Sequence, residues 1–461
     1  MTADRAAGRG RPLVLRNRRF GAVWAAQVLT QAAGRMFQVG AVWWLVARSA
    51  DPGRGLASGA FLAVSTLPAV ALAPLVAAVV SRFPHRAVLA VSAAAAGLVA
   101  LGTAGWMCAA TPPTAVVYGA ALLLACSQAF FDPCLTTSVP ALVEDADIEA
   151  ATGFELGTQS VAGLAGGLLG PLVVDAAGLT GVVAGCAGAG LLAAVLVGAT
   201  RFPAAPGTPP TAASTATDAA STATDTARRP LRRILADLPF IRRVLLCFTA
   251  ANVFTTAVFV VMPLYTRTVL HADGSTVAAL EEALGAGTLA GAATGGRLRG
   301  APTAVGAGCL ALMAAALALP GLAAARPAAV AAMAVAGWCV GVIGVRFVAL
   351  FQRLVPVGDR PGFFAVMQAL LGATLPVSSL VFGLLGDHLS PRTLCLVQAA
   401  GVLPVAAALW WTGRYGPAAP EAAPEAAPES APRHEPVLFP IPSPSPAPSP
   451  APAAEPVGGA R

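Results

Sequence analysis

Six charged side chains interrupt long apolar stretches of this sequence: Arg35, Asp132, Glu155, Glu281, Glu282 and Arg346. In a lipid-spanning helix each costs about 2.5–3.5 kcal/mol to insert, so each is a candidate for binding, proton transfer or gating. Arg35 lies about 15 residues into the first stretch, near mid-depth at about 1.5 Å per residue. Gln31 falls one turn earlier on the same face and Gln38 three residues later. A guanidinium there either meets substrate or makes a fixed contact with an acid or a backbone carbonyl. Glu281 and Glu282 point about 100° apart, so one of them is expected to face the interior. Glu282 is the candidate for a proton-carrying site, because burial disfavours a charged carboxylate. The alternative is one exposed glutamate at the rim and one partner for a basic residue. Asp132 and Arg346 have opposite charge and similar depth, and are expected to pair when the inner side is shut. Glu155 and Arg297 form a second such candidate. Asn252 is a candidate cavity residue, with an interhelical packing hydrogen bond as the alternative.

The elements that hold these groups follow from composition. The chain has 461 residues, 56% hydrophobic and 11% charged, with a mean hydropathy of +0.72. Soluble domains carry about 25% charged residues. Twelve apolar runs are each long enough for a spanning helix of about 20 residues. They lie near 20–47, 57–80, 87–110, 114–138, 150–175, 180–199, 238–265, 276–297, 303–325, 327–350, 361–386 and 391–411. This predicts an all-α membrane protein with twelve transmembrane helices in two six-helix halves, at 20–200 and 238–411. Residues 1–19 read as a cytoplasmic N-terminus and 201–237 as a cytoplasmic linker rich in Ala, Thr, Pro and Asp. Residues 412–461 read as a disordered, cytoplasmic Pro/Ala-rich tail. The first apolar run has no small-residue cleavage site after it, so it is not expected to be a signal peptide.

All 29 basic residues are arginine. They cluster at 5–19, at Arg82 and Arg86, and at 201–243, and thin out in the alternate loops. The positive-inside rule then puts both termini in the cytoplasm and the protein in the cell membrane. Net charge +7 could suggest nucleic acid, but the arginines mark the ends of apolar runs and do not interleave with aromatics on one face. Trp43, Trp44, Trp410 and Trp411 at run ends read as an interfacial belt.

Other signals are negative. Gly188-x-Gly190-x-x-Ala193 lies inside an apolar run and follows no strand, so it is not a dinucleotide site. No P-loop and no His-Glu-x-x-His occur, so neither ATP nor a metal is expected, and no enzyme activity. The eight cysteines show no Cys-x-x-Cys spacing. No cofactor is expected beyond a proton gradient as driving force. The expected partners are the bilayer and a small-molecule substrate, and the expected state is a monomer.

The fifth run holds Gly157, Gly166, Gly170 and Pro171, with eight and then three residues between the glycines. Small residues at such spacing let a second helix approach closely, and Pro171 removes a backbone donor. A weak repeat links the halves: Ala141-Leu142-Val143 before Asp147 echoes Arg353-Leu354-Val355 before Asp359. Repeats of this kind place a substrate site near mid-membrane between the halves.

On these residues the chain resembles the major facilitator superfamily over about residues 15–412. The Gly157 to Pro171 spacing is similar to the antiporter motif of its drug-efflux branches. That motif ends in two further glycines, whose positions here hold Val174 and Asp175. Gln352 to Pro356 with Asp359 to Gly362, and the opening Leu15 to Phe20 with Trp24 and Gln27, resemble the siderophore and macrolide efflux branch. The loop signature of the superfamily is eroded: Arg82 and Arg86 remain, but its acidic position is Ser81. The resemblance implies proton-coupled efflux of a small amphipathic molecule, with Arg35 facing the substrate and the motif helix packing against the eighth helix. A metabolite importer or uniporter, and a non-transporting sensor or assembly protein, are the alternatives.

Overall fold

The computed structural model describes residues 13–48, 53–110, 113–143, 148–200, 239–356 and 360–415. Every described apolar run lies on helix. In order these are α1 (Leu13–Arg16), α2 (Arg18–Arg48), α3 (Arg54–Ala71), α4 (Ala73–Arg82), α5 (His85–Ala109), α6 (Thr114–Leu142) and α7 (Ile148–Ala199). After the linker come α8 (Pro239–Thr255), α9 (Val258–Thr268), α10 (Gly274–Gly295), α11 (Pro302–Leu322), α12 (Arg326–Leu354), α13 (Arg360–His388) and α14 (Pro391–Tyr415). The linker at 201–238, residues 1–12 and the tail from 416 lie outside the described residues, as do Asp147 and Asp359.

Nine stretches among the described residues are long and apolar enough to cross a membrane. One of them, 157–199, holds two of the predicted runs. Its α7 is two antiparallel limbs that meet at Gly178, whose φ of 69° and ψ of −178° suit glycine and break the helix. The two runs outside the nine are α2 and α10. These are the helices that carry Arg35 and the Glu281–Glu282 pair.

The helices before the linker, α1 to α7, are the N-terminal group and those after it, α8 to α14, the C-terminal group; together they make one compact unit. The C-terminal group has a core of its own, from Ile241 to Leu409. A second core, around Phe37, Trp43 and Phe61, takes in Val260, Leu264 and Val277 of the C-terminal group, and a third, around Leu89, Phe131 and Leu135, is N-terminal alone. Phe61 stands edge-on to both Phe37 and Tyr118, with centroids at 5.8 and 6.0 Å. Such pairs contribute about 0.5–1.5 kcal/mol beyond burial.

Glycines set the helix spacing. Gly287 and Gly291 of α10 face Gly337 and Gly341 of α12. A Cβ at Gly287 would meet Ala334 O, and at Gly291 Trp338 O; at Gly341 it would meet Thr288 O. Two small-xxx-small faces therefore lie against each other, and Trp338 Nε1 donates to Thr294 Oγ1 at 3.0 Å beside them. Gly291→Leu is expected to destabilise the C-terminal group by at least the about 1–3 kcal/mol of an overpacked site. Thermal unfolding in detergent checks this, with Gly344→Leu as the control, since nothing lies within 4 Å of that glycine's missing Cβ.

Two ends of the bundle can be named. The terminal end holds the starts of α2 and α8 and the ends of α10 and α14. The distal end holds the end of α2 and the starts of α3 and α10. The two echoed Leu-Val pairs close α6 and α12 in the same way, with Val143 and Val355 turning to extended backbone.

Candidate functional site

Half-way along the bundle, α2, α7 and α10 meet. Gly166 and Gly170 lie flat against α2: a Cβ on Gly166 would stand 2.6 Å from Arg35 Cβ and 2.7 Å from Ala32 O, and on Gly170 2.6 Å from Met36 O. Gly157 has nothing within 4 Å. The motif helix also packs against α10, through Gly167 and Leu164. A Cβ on Gly167 would stand 3.4 Å from Glu281 Cβ and 3.8 Å from Glu282 Oε1, and Leu164 packs on Gly285. Pro171 is buried, and its carbonyl abuts Gly274.

This closeness lets Arg35 cross between the groups. Its Nη2 donates to Glu281 Oε2 at 2.8 Å, an ion pair between residues 246 apart. Its Nη1 donates to Gln38 Oε1 at 2.9 Å, and its guanidinium lies 5.0 Å from the Phe259 ring centroid. Glu281 is thus the partner of Arg35: the sequence reading allowed one glutamate of the pair a basic partner and Arg35 an acidic one, but did not join the two. Opposite charges at matching depth in two runs were the available signal. Glu282 also turns inward: its Oε1 is buried without a hydrogen-bond partner among the described residues.

Gln31 points to a separate cluster, where Gln31 Nε2 and Gln128 Nε2 donate to Asp132 Oδ1 at 3.3 and 2.6 Å. Arg346 Nη2 instead donates to Gly300 O at 2.8 Å, bracing a loop glycine at φ 123°. Asn252 Nδ2 donates to Thr374 Oγ1 and to Leu371 O, the latter at 3.2 Å. Arg297 and Arg82 are exposed, and so is Arg86, which donates to Gly198 O. The Glu155 side chain lies outside the described residues.

Two cavities flank the centre. One of about 190 Å³ lies in the N-terminal group, lined among others by Thr30, Gln38, Ser65, Ser92, Gln128 and Phe131. The other, of about 260 Å³, lies in the C-terminal group, lined by Phe248, Asn252, Met313, Phe347, Phe351 and Gln368 among others. The first mixes hydroxyls and amides with small apolar groups. The second is almost wholly apolar. Among the described residues no three His, Cys, Asp or Glu side chains are grouped to hold a metal ion.

Trp43 is not at an interface: it is 2% exposed, and its Nε1 donates to Asp175 at 2.7 Å. Trp410 and Trp411 are 49% and 67% exposed.

No curated protein sequence matches the chain. Its fold matches those of solved transporters. A bacterial homolog of the human lysosomal transporter Spinster, inward-facing and occupied, aligns with a TM-score of 0.68 at 12% identity, over 87% of this chain and 97% of that one. The D-xylose-proton symporter gives 0.60 at 14% identity, over 85% and 95%. PepTSo, a POT family transporter, gives 0.61 at 9%, over 86% and 98%. Residues 23–334 match the family description itself. With that match over more than half of its length, this multi-pass helical bundle belongs to the Major Facilitator Superfamily.

Proposed function

We propose that this protein exports a small amphipathic organic molecule in exchange for protons, by alternating access between two six-helix halves of a twelve-helix bundle. The observation that carries this reading is the Arg35–Glu281 pair with Glu282 beside it. One cation and one anion balance there. A second anion on Glu282, whose buried Oε1 has no hydrogen-bond partner among the described residues, would be left uncompensated there, so closure favours Glu282 neutral and a charged Glu282 favours opening to water. A proton on Glu282 and the closure of the groups are thereby linked. The polar cavity in one group and the apolar cavity in the other suit a molecule with a hydrogen-bonding head and an apolar body. The arginine distribution supports cytoplasmic termini in the cell membrane. The echoed Leu-Val helix ends support the repeat.

Cells expressing the protein are expected to accumulate less of a fluorescent amphipathic dye, and a protonophore is expected to reverse this. Glu282→Gln, fixed neutral, is expected to abolish gradient-driven efflux while dye exchange across vesicles persists. Efflux that survives both protonophore and Glu282→Gln would remove the proton from the mechanism.

A further inference from the structure

Two carboxylates away from the central ion pair occupy matching places at the distal end. Asp175, in the first limb of α7, accepts from Trp43 Nε1 at 2.7 Å and from Gly274 N at 2.6 Å. Gly274 opens α10, and Asp273 before it makes no side-chain cap bond. The N-terminal group therefore supplies the missing cap of a helix in the C-terminal group. Asp387, near the end of α13, does the converse. Its Oδ1 accepts from Gly53 N at 3.2 Å and Gly55 N at 2.8 Å, and its Oδ2 from Leu56 N at 3.0 Å. These are the opening amides of α3, whose N-cap is Gly53, with no side chain to offer. Each carboxylate meets unsatisfied N–H groups at the positive end of a helix.

Each contact is built on glycine. A Cβ on Gly274 would stand 2.6 Å from Asp175 Oδ2 and 2.7 Å from Pro171 O. One on Gly55 would stand 2.5 Å from Gly383 O and 3.0 Å from Asp387 Oδ1. The fifth and eleventh apolar runs thus each give an aspartate to the start of a helix in the other group, the eighth run and the second.

We infer that Asp175 and Asp387 are a reciprocal pair of clasps that hold the distal face shut, and that opening it requires both carboxylates to leave the helix starts they cap. This rests on the alternating-access part of the functional reading and not on its substrate or direction. Separating the two groups at this end carries Asp175 from α10 and Asp387 from α3 in one motion. Water then solvates the freed amides and carboxylates. Because one motion breaks both clasps, their effects on the open-to-closed ratio multiply.

The test measures distance rather than transport. Spin labels go on Ala110→Cys, at the distal end of α5, and Leu322→Cys, at the distal end of α11, in the full chain with its native cysteines replaced. Both positions are exposed. Pulsed electron resonance in lipid nanodiscs then reads the distal separation. Asp175→Asn and Asp387→Asn are each expected to raise the open-to-closed ratio about tenfold, or about 1.4 kcal/mol, and the double variant about a hundredfold. Trp43→Phe removes one donor and leaves the Gly274 bond, so it is expected to give a smaller shift in the same direction. An unchanged distribution in the double variant overturns the inference. If that variant does not fold, an unchanged Trp43→Phe overturns it. Longer distances without dye efflux would keep the clasps and remove the export reading, whereas efflux with unchanged distances would remove the clasps alone.

Discussion

Glu281→Gln is expected to cut dye efflux about tenfold or more and to lower stability, because it leaves the Arg35 guanidinium held in place without its counter-charge. Removing one partner of a fully buried ion pair costs about 3–5 kcal/mol. Here the two side chains are 26% and 15% exposed, so water recovers part of that, and about 1–2 kcal/mol is expected to remain. Arg35 keeps Gln38 and the Phe259 ring. Neither supplies a full negative charge. Arg35→Met alone strands Glu281 beside Glu282, which is the worse case, since two acids then share an apolar seam. The double variant Arg35→Met with Glu281→Met removes both charges and fills the volume with apolar atoms. Its thermal stability is expected to exceed that of either single variant, while efflux stays lost. Single-variant losses that simply add in the double would show that the two charges do not interact.

That pair marks the limit of what the sequence discloses. The helical character of the described apolar runs was legible, since a run of about 20 apolar residues has few alternatives to a helix in lipid, and nine stretches are long and apolar enough to cross a membrane. The depth of Arg35 was legible by counting at about 1.5 Å per residue. Its partner was not. A change of one residue rotates a side chain by about 100°, and which face of α10 meets α2 is set by how Gly166 and Gly170 seat α7 between them. The reasoning that proposed Asp132 with Arg346 for the state with the inner side shut applies equally to Arg35 with Glu281, and the sequence does not say which pair a given state brings together. Asp132 lies with Gln31 and Gln128, and Arg346 turns to the Gly300 carbonyl. Asp175 shows a second limit. Set against the antiporter motif it reads as a departure at a glycine position, yet it holds Trp43 and the start of α10. A departure from a family pattern can be a new contact, and the pattern alone does not say with what. Trp43 was misplaced for the same reason: a tryptophan at a run end suits an interface until a buried acceptor claims its N–H.

The glycines of the motif give the other large effect, and they separate by face. Gly166→Leu and Gly170→Leu are expected to lose both folded protein and efflux. At Gly166 the new Cβ falls within 2.8 Å of Met36 N and 2.7 Å of Ala32 O, and at Gly170 within 2.9 Å of Gly40 N. Those atoms are backbone and cannot rotate aside, so α7 must retreat from α2. The cost is expected to exceed the about 1–3 kcal/mol of ordinary overpacking, and the retreat also displaces Arg35 from Glu281. Gly167→Leu meets side chains instead, those of Glu281 and Glu282, which can move. It is expected to fold at near wild-type yield and to lose efflux, because the added bulk wedges the two groups apart at the ion pair. Gly157→Leu meets nothing within 4 Å and is expected to keep both properties. Detergent-solubilised yield and thermal stability, measured beside dye efflux for the four variants, separate these outcomes. If Gly157→Leu fails like Gly166→Leu, the motif acts through all its glycines alike, and the close approach of α7 to α2 is not what it encodes. If Gly167→Leu transports normally, the seam between α7 and α10 does not have to close during the cycle.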